Sequence, residues 1–440
     1  MSFAATGRRL ADLIRLLPSD ASAARSHGMF APLAVRDFRL LFLGLLIAHA
    51  LSPFQFVAQI IWVQASAEED LRIVLVGLIA AVRGGGMLLF GLYGGALADR
   101  FDRRILLIVT QLAALGFNIA IGVLMIVGDA QGSNLVLFYA LVFVSSALAS
   151  IDAPTRQAIV PDILGRERTT SGIALNAAGG QVALPVALVG TGFVIATFGP
   201  GVGYLVGAFG HLAEVVALLL MRHRTQHRRP ATRFSLGNVL RDIGEGLAYT
   251  RREPRILWVV VLLVTMMGLG FPAVANLGPT WITTVVGVPV RDFGLVAATW
   301  GIGAVLASGM MARFSGYERK GRIVALSAVG FGLSFLVFGG GHTPANAVIG
   351  NFGLGIAMAT SQIAGTALIQ LVAPAGLRGR VMSVLNLNMG IAQIVTLPLA
   401  ALGQWVTLQV LFPALAILLL LVTVAILLLR PVVWRSEVSA

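Results

Sequence analysis

Twelve apolar stretches, each close to 20 residues or longer, follow one another along the chain. An α-helix rises 1.5 Å per residue, so about 20 residues cross the ~30 Å hydrocarbon layer of a bilayer. No water satisfies backbone N–H and C=O groups inside that layer, and helices bonded within themselves are the solution for segments of this length. The expected fold is therefore an all-α membrane protein of twelve transmembrane helices. The spans are expected near 38–64, 73–97, 105–127, 135–155, 172–198 and 202–221, then 257–283, 293–312, 323–340, 345–372, 381–405 and 408–430. The charged fraction is 12%, against about 25% in soluble domains.

The net charge is +13, and 31 of the 32 basic residues are arginine. Of the 32, 29 fall in segments on one side of the spans; Arg72 and Arg291 lie on the other, and Arg83 alone lies inside a span. Basic residues accumulate on the cytoplasmic side. Both termini are therefore expected in the cytoplasm, with the chain a multi-pass protein of a bacterial cytoplasmic (inner) membrane. Cations that flank apolar runs face the anionic lipid bilayer, not nucleic acid. No compact apolar leader of the secretory type stands before the first span. In residues 1–37, Leu10, Leu13, Ile14 and Leu17 form one helical face with Arg8, Arg9 and Arg15 outside it, which fits a surface helix or a disordered basic tail equally.

The chain repeats itself. Arg100-Phe101 after the second span corresponds to Arg313-Phe314 after the eighth, and Gln157 with Pro161 to Gln370 with Pro374, each 213 residues apart. Two copies of a six-span unit in the same orientation imply bundles related by an axis along the membrane normal, with a cavity between them. The expected organisation is a cytoplasmic segment 1–37, bundles at 38–221 and 257–430 joined by a basic linker 222–256, and a tail 431–440.

Several chemistries are excluded. Cysteine is absent, so there is no disulfide, thiolate metal site or cysteine nucleophile. The sole lysine, Lys320, precedes Gly321, so no Walker A loop exists. No His-Glu-x-x-His or Gly-x-Ser-x-Gly motif occurs. No enzyme activity, cofactor or metal is expected, and any transport must draw on an ion gradient or on the substrate's own gradient.

The strongest motif is Gly95-Ala-Leu-Ala-Asp99-Arg100-Phe-Asp102-Arg103-Arg104, between the second and third spans. Gly95 lets helices approach closely, and Asp99 can accept charge-assisted hydrogen bonds at a helix end. Here the chain resembles the major facilitator superfamily, whose corresponding loop reads G-x-x-x-D-R-x-G-R-R. Asp102 in place of the second Gly is similar to the branch that includes the enterobactin exporter and macrolide efflux proteins. Asp152-Ala-Pro154-Thr-Arg156-Gln157, Pro161-Asp162 and Arg378-Gly379-Arg380-Val-Met382-Ser383 agree with that branch. The resemblance covers about residues 36–405. It implies a conformational latch at Gly95, Asp99, Arg100, Arg103 and Arg104, and cytoplasmic loop motifs at Pro154, Arg156, Gln157, Arg378 and Arg380. Two departures stand out. Leu184 precedes Pro185 and Gly190 comes late, so the Gly-Pro-x-x-Gly pattern of drug/proton antiporters is not reproduced. Ala312 replaces the motif Asp in the second half.

Ionisable groups inside spans mark functional sites by default. They are His49, Arg83, Asp152, His211 and Glu214. His49, Ser52, Gln55 and Gln59 share one face of the first span, which suits a cavity wall or interhelix bonding. Arg83 cannot lose its proton and needs a carboxylate, backbone carbonyls or an anionic substrate. Proton coupling is expected at Glu214, Asp152 or His211, the first and last being one turn apart. In the second half the polar span residues are uncharged, with Asn276, Trp300, Asn351, Gln362 and Asn386 as cavity candidates; a wall of amides, Met and Trp suits amphipathic organic molecules.

Together these features point to a monomeric secondary transporter that takes a small-molecule substrate and exports amphipathic organic compounds of the drug or siderophore class by alternating access and proton antiport. An importer or lipid transporter on the same fold, or a non-transporting membrane sensor or scaffold, are the other readings.

Overall fold

A computed structural model describes residues 30–222, 236–313, 317–374 and 377–434. The first 29 residues, with both readings of them, lie outside the described residues, as do the side chains of Asp99 and Asn386. Among the described residues the regular structure is entirely helical, and twelve helices are long and apolar enough to cross a bilayer. In the first half these are Arg36–Ser66, Arg72–Arg100, Arg103–Val127, Gly132–Gly165, Ser171–Phe198 and Pro200–Leu220. In the second they are Pro254–Val285, Val290–Arg313, Lys320–Gly340, Pro344–Val372, Arg378–Val406 and Leu408–Leu429. The linker carries a further helix, Leu236–Arg252, which its arginine content concealed in the sequence. This helix docks on the start of the eleventh span, where Glu245 pairs with Arg380 and Gly246 abuts the Arg380 carbonyl.

Helix ends follow local chemistry. The fourth and fifth spans form one continuous run broken at Gly165, whose φ of 70° is a left-handed value that glycine adopts without strain. Asp102 caps the third span, its carboxylate accepting from Ile105 N at 2.9 Å. That capping is the work of the Asp that replaces the motif Gly. At the same end of this half, Arg104 donates to Leu218 O and Leu219 O (2.8 and 3.0 Å) and Arg36 to Leu220 O (3.3 Å). These cations satisfy the last carbonyls of the sixth span, where the helix dipole is negative. Arg103 ties the third span to the fourth through Asp162 (2.7 Å) and Ala158 O (2.9 Å).

The seventh span is widened. Phe271 N bonds to Met266 O and Val286 N to Trp281 O, five residues back rather than four, in stretches that contain or flank Pro272 and Pro279. A proline donates no N–H and crowds the carbonyl four residues back, which favours such π turns. The second half packs a dry aromatic core around this helix. Trp281 stacks on Phe412 with centroids 4.6 Å apart, and Phe331, Phe335 and Phe338 are fully buried. Apolar side chains that face outward, such as Val109, Leu112, Ile119, Val123 and Ile126 on the third span, recur at helical spacing and form a lipid face.

The halves join through two helix pairs, the second span with the eleventh and the fifth with the eighth. Exchange of the halves maps each pair onto the other, as a two-fold relation of the repeats requires. Glycine allows the approach: a β-carbon on Gly77 would lie 2.3 Å from Ala400 Cβ, and one on Gly294 2.0 Å from Leu188 O. Hydrogen bonds across the halves cluster at the arginine-poor end. Gln64 donates to Thr280 Oγ1 at 2.5 Å. Ile73 N donates to Gln404 Oε1 at 3.1 Å, and Gln404 Nε2 to Glu69 O at 3.2 Å.

Candidate functional site

A cavity of about 570 Å³ opens within the first half, walled by the first six spans. Its blind end, at Gln59 and Tyr204, is buried. Toward the arginine-rich end the lining residues Ala149, Ala153, Gln157, Ile173 and Ala177 are exposed. The cavity is thus closed at the arginine-poor end, where the halves are bonded, and widens toward the other. The volume is in the range of small-molecule sites.

The polar wall has two parts. One is an ion cluster. Arg156 Nη2 donates to Asp152 Oδ2 at 2.8 Å and to Glu214 Oε2 at 2.5 Å, and its Nε to Asp152 Oδ2 at 3.2 Å. The three side chains are 10%, 13% and 4% exposed. One cation thus serves two buried carboxylates, and Asp152 Oδ1 has no partner. The surplus negative charge is held where desolvation is costly. The other part is a hydrogen-bonded relay. Gln59 Nε2 donates to Tyr204 OH (3.1 Å), which donates to Asn118 Oδ1 (2.6 Å). Asn118 Nδ2 donates to His211 Nε2 (3.3 Å), and His211 Nδ1 to Gln111 Oε1 (2.6 Å). These bonds fix the Nδ1–H tautomer of the imidazole.

The sequence candidates distribute unevenly. His49, Ser52, Gln55, Gln59, Arg83, Asp152, His211 and Glu214 all line the cavity. His211 and Glu214 are not partners: the ring turns to the third span and Glu214 to Arg156 on the fourth. Arg156 and Gln157 are not loop residues, because the fourth span stays helical to Gly165, ten residues past its expected end. Pro154 lies half-buried on the same helix. Of the second-half candidates, Asn276, Trp300, Asn351 and Gln362 do not line this cavity. The reason for two of them is packing: Asn276 donates to Gln393 and Thr396 (both 2.8 Å), and Asn351 to Val296 O (2.9 Å). In the latch motif, Arg103 and Arg104 are the cross-ties described above and Arg100 lies over the Phe101 ring; of the second-half loop motif, Arg378 donates to Ala373 O at 3.0 Å. Sequence reasoning missed Arg156 as a buried ion, along with Tyr204, Gln111 and Asn118. The i, i+4 spacing of Asp152 and Arg156 and the i, i+7 spacing of Gln111 and Asn118 were the available signals.

Known proteins resemble the chain at two levels. The staphyloferrin A transporter of Staphylococcus aureus (strain NCTC 8325 / PS 47) is 22% identical over 264 residues, 60% of this chain and 64% of that one. The enterobactin exporter EntS of Shigella boydii serotype 4 (strain Sb227) is 23% identical over 272 residues, 60% of this chain and 61% of that one. The chain thus spans under two thirds of the length of these relatives. Among solved structures, a peptide transporter POT in complex with sulfate superposes with a TM-score of 0.70 at 17% identity, covering 96% of this chain and 100% of that one. The nucleoside transporter NupG does so with 0.64 at 13%, covering 89% and 98%. The family model of the Major Facilitator Superfamily matches residues 45–396, and with its twelve spans in two like halves this chain belongs to that superfamily.

Proposed function

We propose that the protein exports small amphipathic organic molecules of the drug or siderophore class from the cytoplasm by alternating access, driven by proton antiport. The observation that carries this reading is the buried pair Asp152 and Glu214 sharing Arg156 in the cavity wall. Such a pair can take up and release a proton as the cavity changes sides, because its two carboxylates compete for one cation. The names of the two relatives, a staphyloferrin A transporter and an enterobactin exporter, favour siderophore-like cargo. The arginine-rich end is read as cytoplasmic, so the cavity faces the compartment from which an exporter loads. In the otherwise cysteine-free chain, Gln131→Cys should react with an impermeant thiol reagent from outside only, and Gln226→Cys from inside only; either result reversed overturns the orientation.

The coupling is tested in proteoliposomes with an imposed pH gradient against a compound panel. Glu214→Gln should abolish gradient-driven accumulation while substrate binding and downhill exchange persist. If the Gln variant concentrates substrate as well as wild type, Glu214 is structural and the carrier lies elsewhere.

A further inference from the structure

Arg83 lies within the second span, and unlike Arg156 on the fourth it has no ion pair among the described residues. The cavity's two carboxylates are both engaged by Arg156. They are also distant. A β-carbon on Gly86 would lie 2.8 Å from Phe143 O and 3.1 Å from Ala147 N, and one on Gly91 4.0 Å from Ser150 Cβ. The second and fourth spans therefore run side by side in the same direction, which sets Arg83 level with Val142. Asp152 is ten residues farther along, on the order of 15 Å at 1.5 Å per residue. The Arg83 guanidinium lies 5.4 Å from the centroid of the Phe56 ring, a cation–π contact that leaves its fork of N–H donors without a carboxylate.

The surrounding wall is also short of partners. Gln59 is 5% exposed, and its Oε1 has no hydrogen bond; Gln55 Nε2, one turn away and also buried, is an unmatched donor. Both residues line the cavity with Arg83. A permanent cation in a low-dielectric wall with no counter-ion among the described residues calls for one from the ligand. We propose that Arg83 is an anion-binding subsite, and that the transported molecule is an organic carboxylate whose acid group seats on the guanidinium. Phe56 then offers an apolar face to the rest of the molecule. Arg83 is thereby assigned to substrate recognition, and the cluster around Arg156, two turns or more away, is separate from it. The assignment rests on the reading that the cavity carries a small organic molecule, and it narrows the class of that molecule.

The test uses the full chain purified in detergent with Ser146→Cys as its one thiol. Ser146 lines the cavity, its Cβ 3.1 Å from the β position of Gly86. The thiol should react faster with anionic 2-sulfonatoethyl methanethiosulfonate than with its cationic trimethylammonium analogue, relative to a free thiol. Arg83→Gln should lower that preference about tenfold and Arg83→Lys should keep most of it, since the interaction is with a charge. 4-Phenylbutyrate should slow the labelling where 4-phenylbutan-1-ol at equal concentration does not, and Arg83→Gln should remove that protection. A preference unchanged in Arg83→Gln, or equal protection by the acid and the alcohol, overturns the subsite. If Arg83→Gln does not elute as a folded species, the acid and alcohol arms on the Arg83-containing protein decide alone. None of these rates needs a pH gradient or vectorial transport, so a failure here leaves the export reading standing, and a failure of export leaves the labelling result intact.

Discussion

Arg156→Met should destabilise the protein by about 3–5 kcal/mol, the usual cost of removing one partner from a buried ion pair. Here the cost falls at the high end of that range, because two carboxylates, 13% and 4% exposed, lose the same cation. The loss should be visible as a lowered unfolding midpoint in detergent and a lowered yield of monodisperse protein. Combining Arg156→Met with Asp152→Asn and Glu214→Gln should recover most of the stability, since no charge is then left buried alone. The combination should still fail in gradient-driven transport. A single Arg156→Met variant as stable as wild type would mean that the cluster is solvated and that the cavity is more open at this depth than its burial implies.

Gly294→Val should block closure of the arginine-poor face. Its first added carbon would meet Leu188 O at 2.0 Å and Val189 O at 2.9 Å, and both are backbone atoms that cannot rotate away. Overpacking of this kind costs about 1–3 kcal/mol, and each 1.4 kcal/mol is tenfold in a conformational equilibrium. The population closed on that face should therefore fall by about fivefold or more, and transport with it. A cysteine at Gln59, buried in the present state, reports the change: its labelling from the arginine-poor side should rise in the Gly294→Val background. Gly309→Val is the control on the same helix, because nothing lies within 4 Å of its β position. Equal labelling in the two backgrounds would remove the fifth and eighth spans from the gate.

The membrane architecture was readable because one rule, the satisfaction of backbone groups in lipid, dominates every span. Helix ends were harder. For the fourth span the sequence suggests an end near 155, with Pro154, Arg156 and Gln157 in a cytoplasmic loop. In the fold, Arg156 finds two carboxylates, one of them 58 positions away on the sixth span, and the helix simply continues to Gly165. A pattern of apolar residues cannot reveal that a charge is neutralised by a distant partner. The first-half polar stripe was legible since His49, Ser52, Gln55 and Gln59 share a helix face. The second-half amides misled for the opposite reason. Asn276 and Asn351 carry the same chemistry as a cavity wall, but their bonds to Gln393, Thr396 and Val296 O are made inside the bundle, and sequence does not distinguish the two fates.

The two halves repeat one six-span unit, yet the cavity belongs to the first while the second holds the large aromatic core and the widened seventh span. Duplication relieves one copy of the need to recognise anything: it can become a dry lever, provided its contact helices still fit. Substrate choice should then be heritable as a block. A hybrid that joins residues 1–221 of this chain to the second half of a relative would carry this protein's selectivity with it, whereas the reciprocal hybrid would inherit only the mechanics. Drift should show the same asymmetry, with polar positions constrained in one half and bulk and shape constrained in the other.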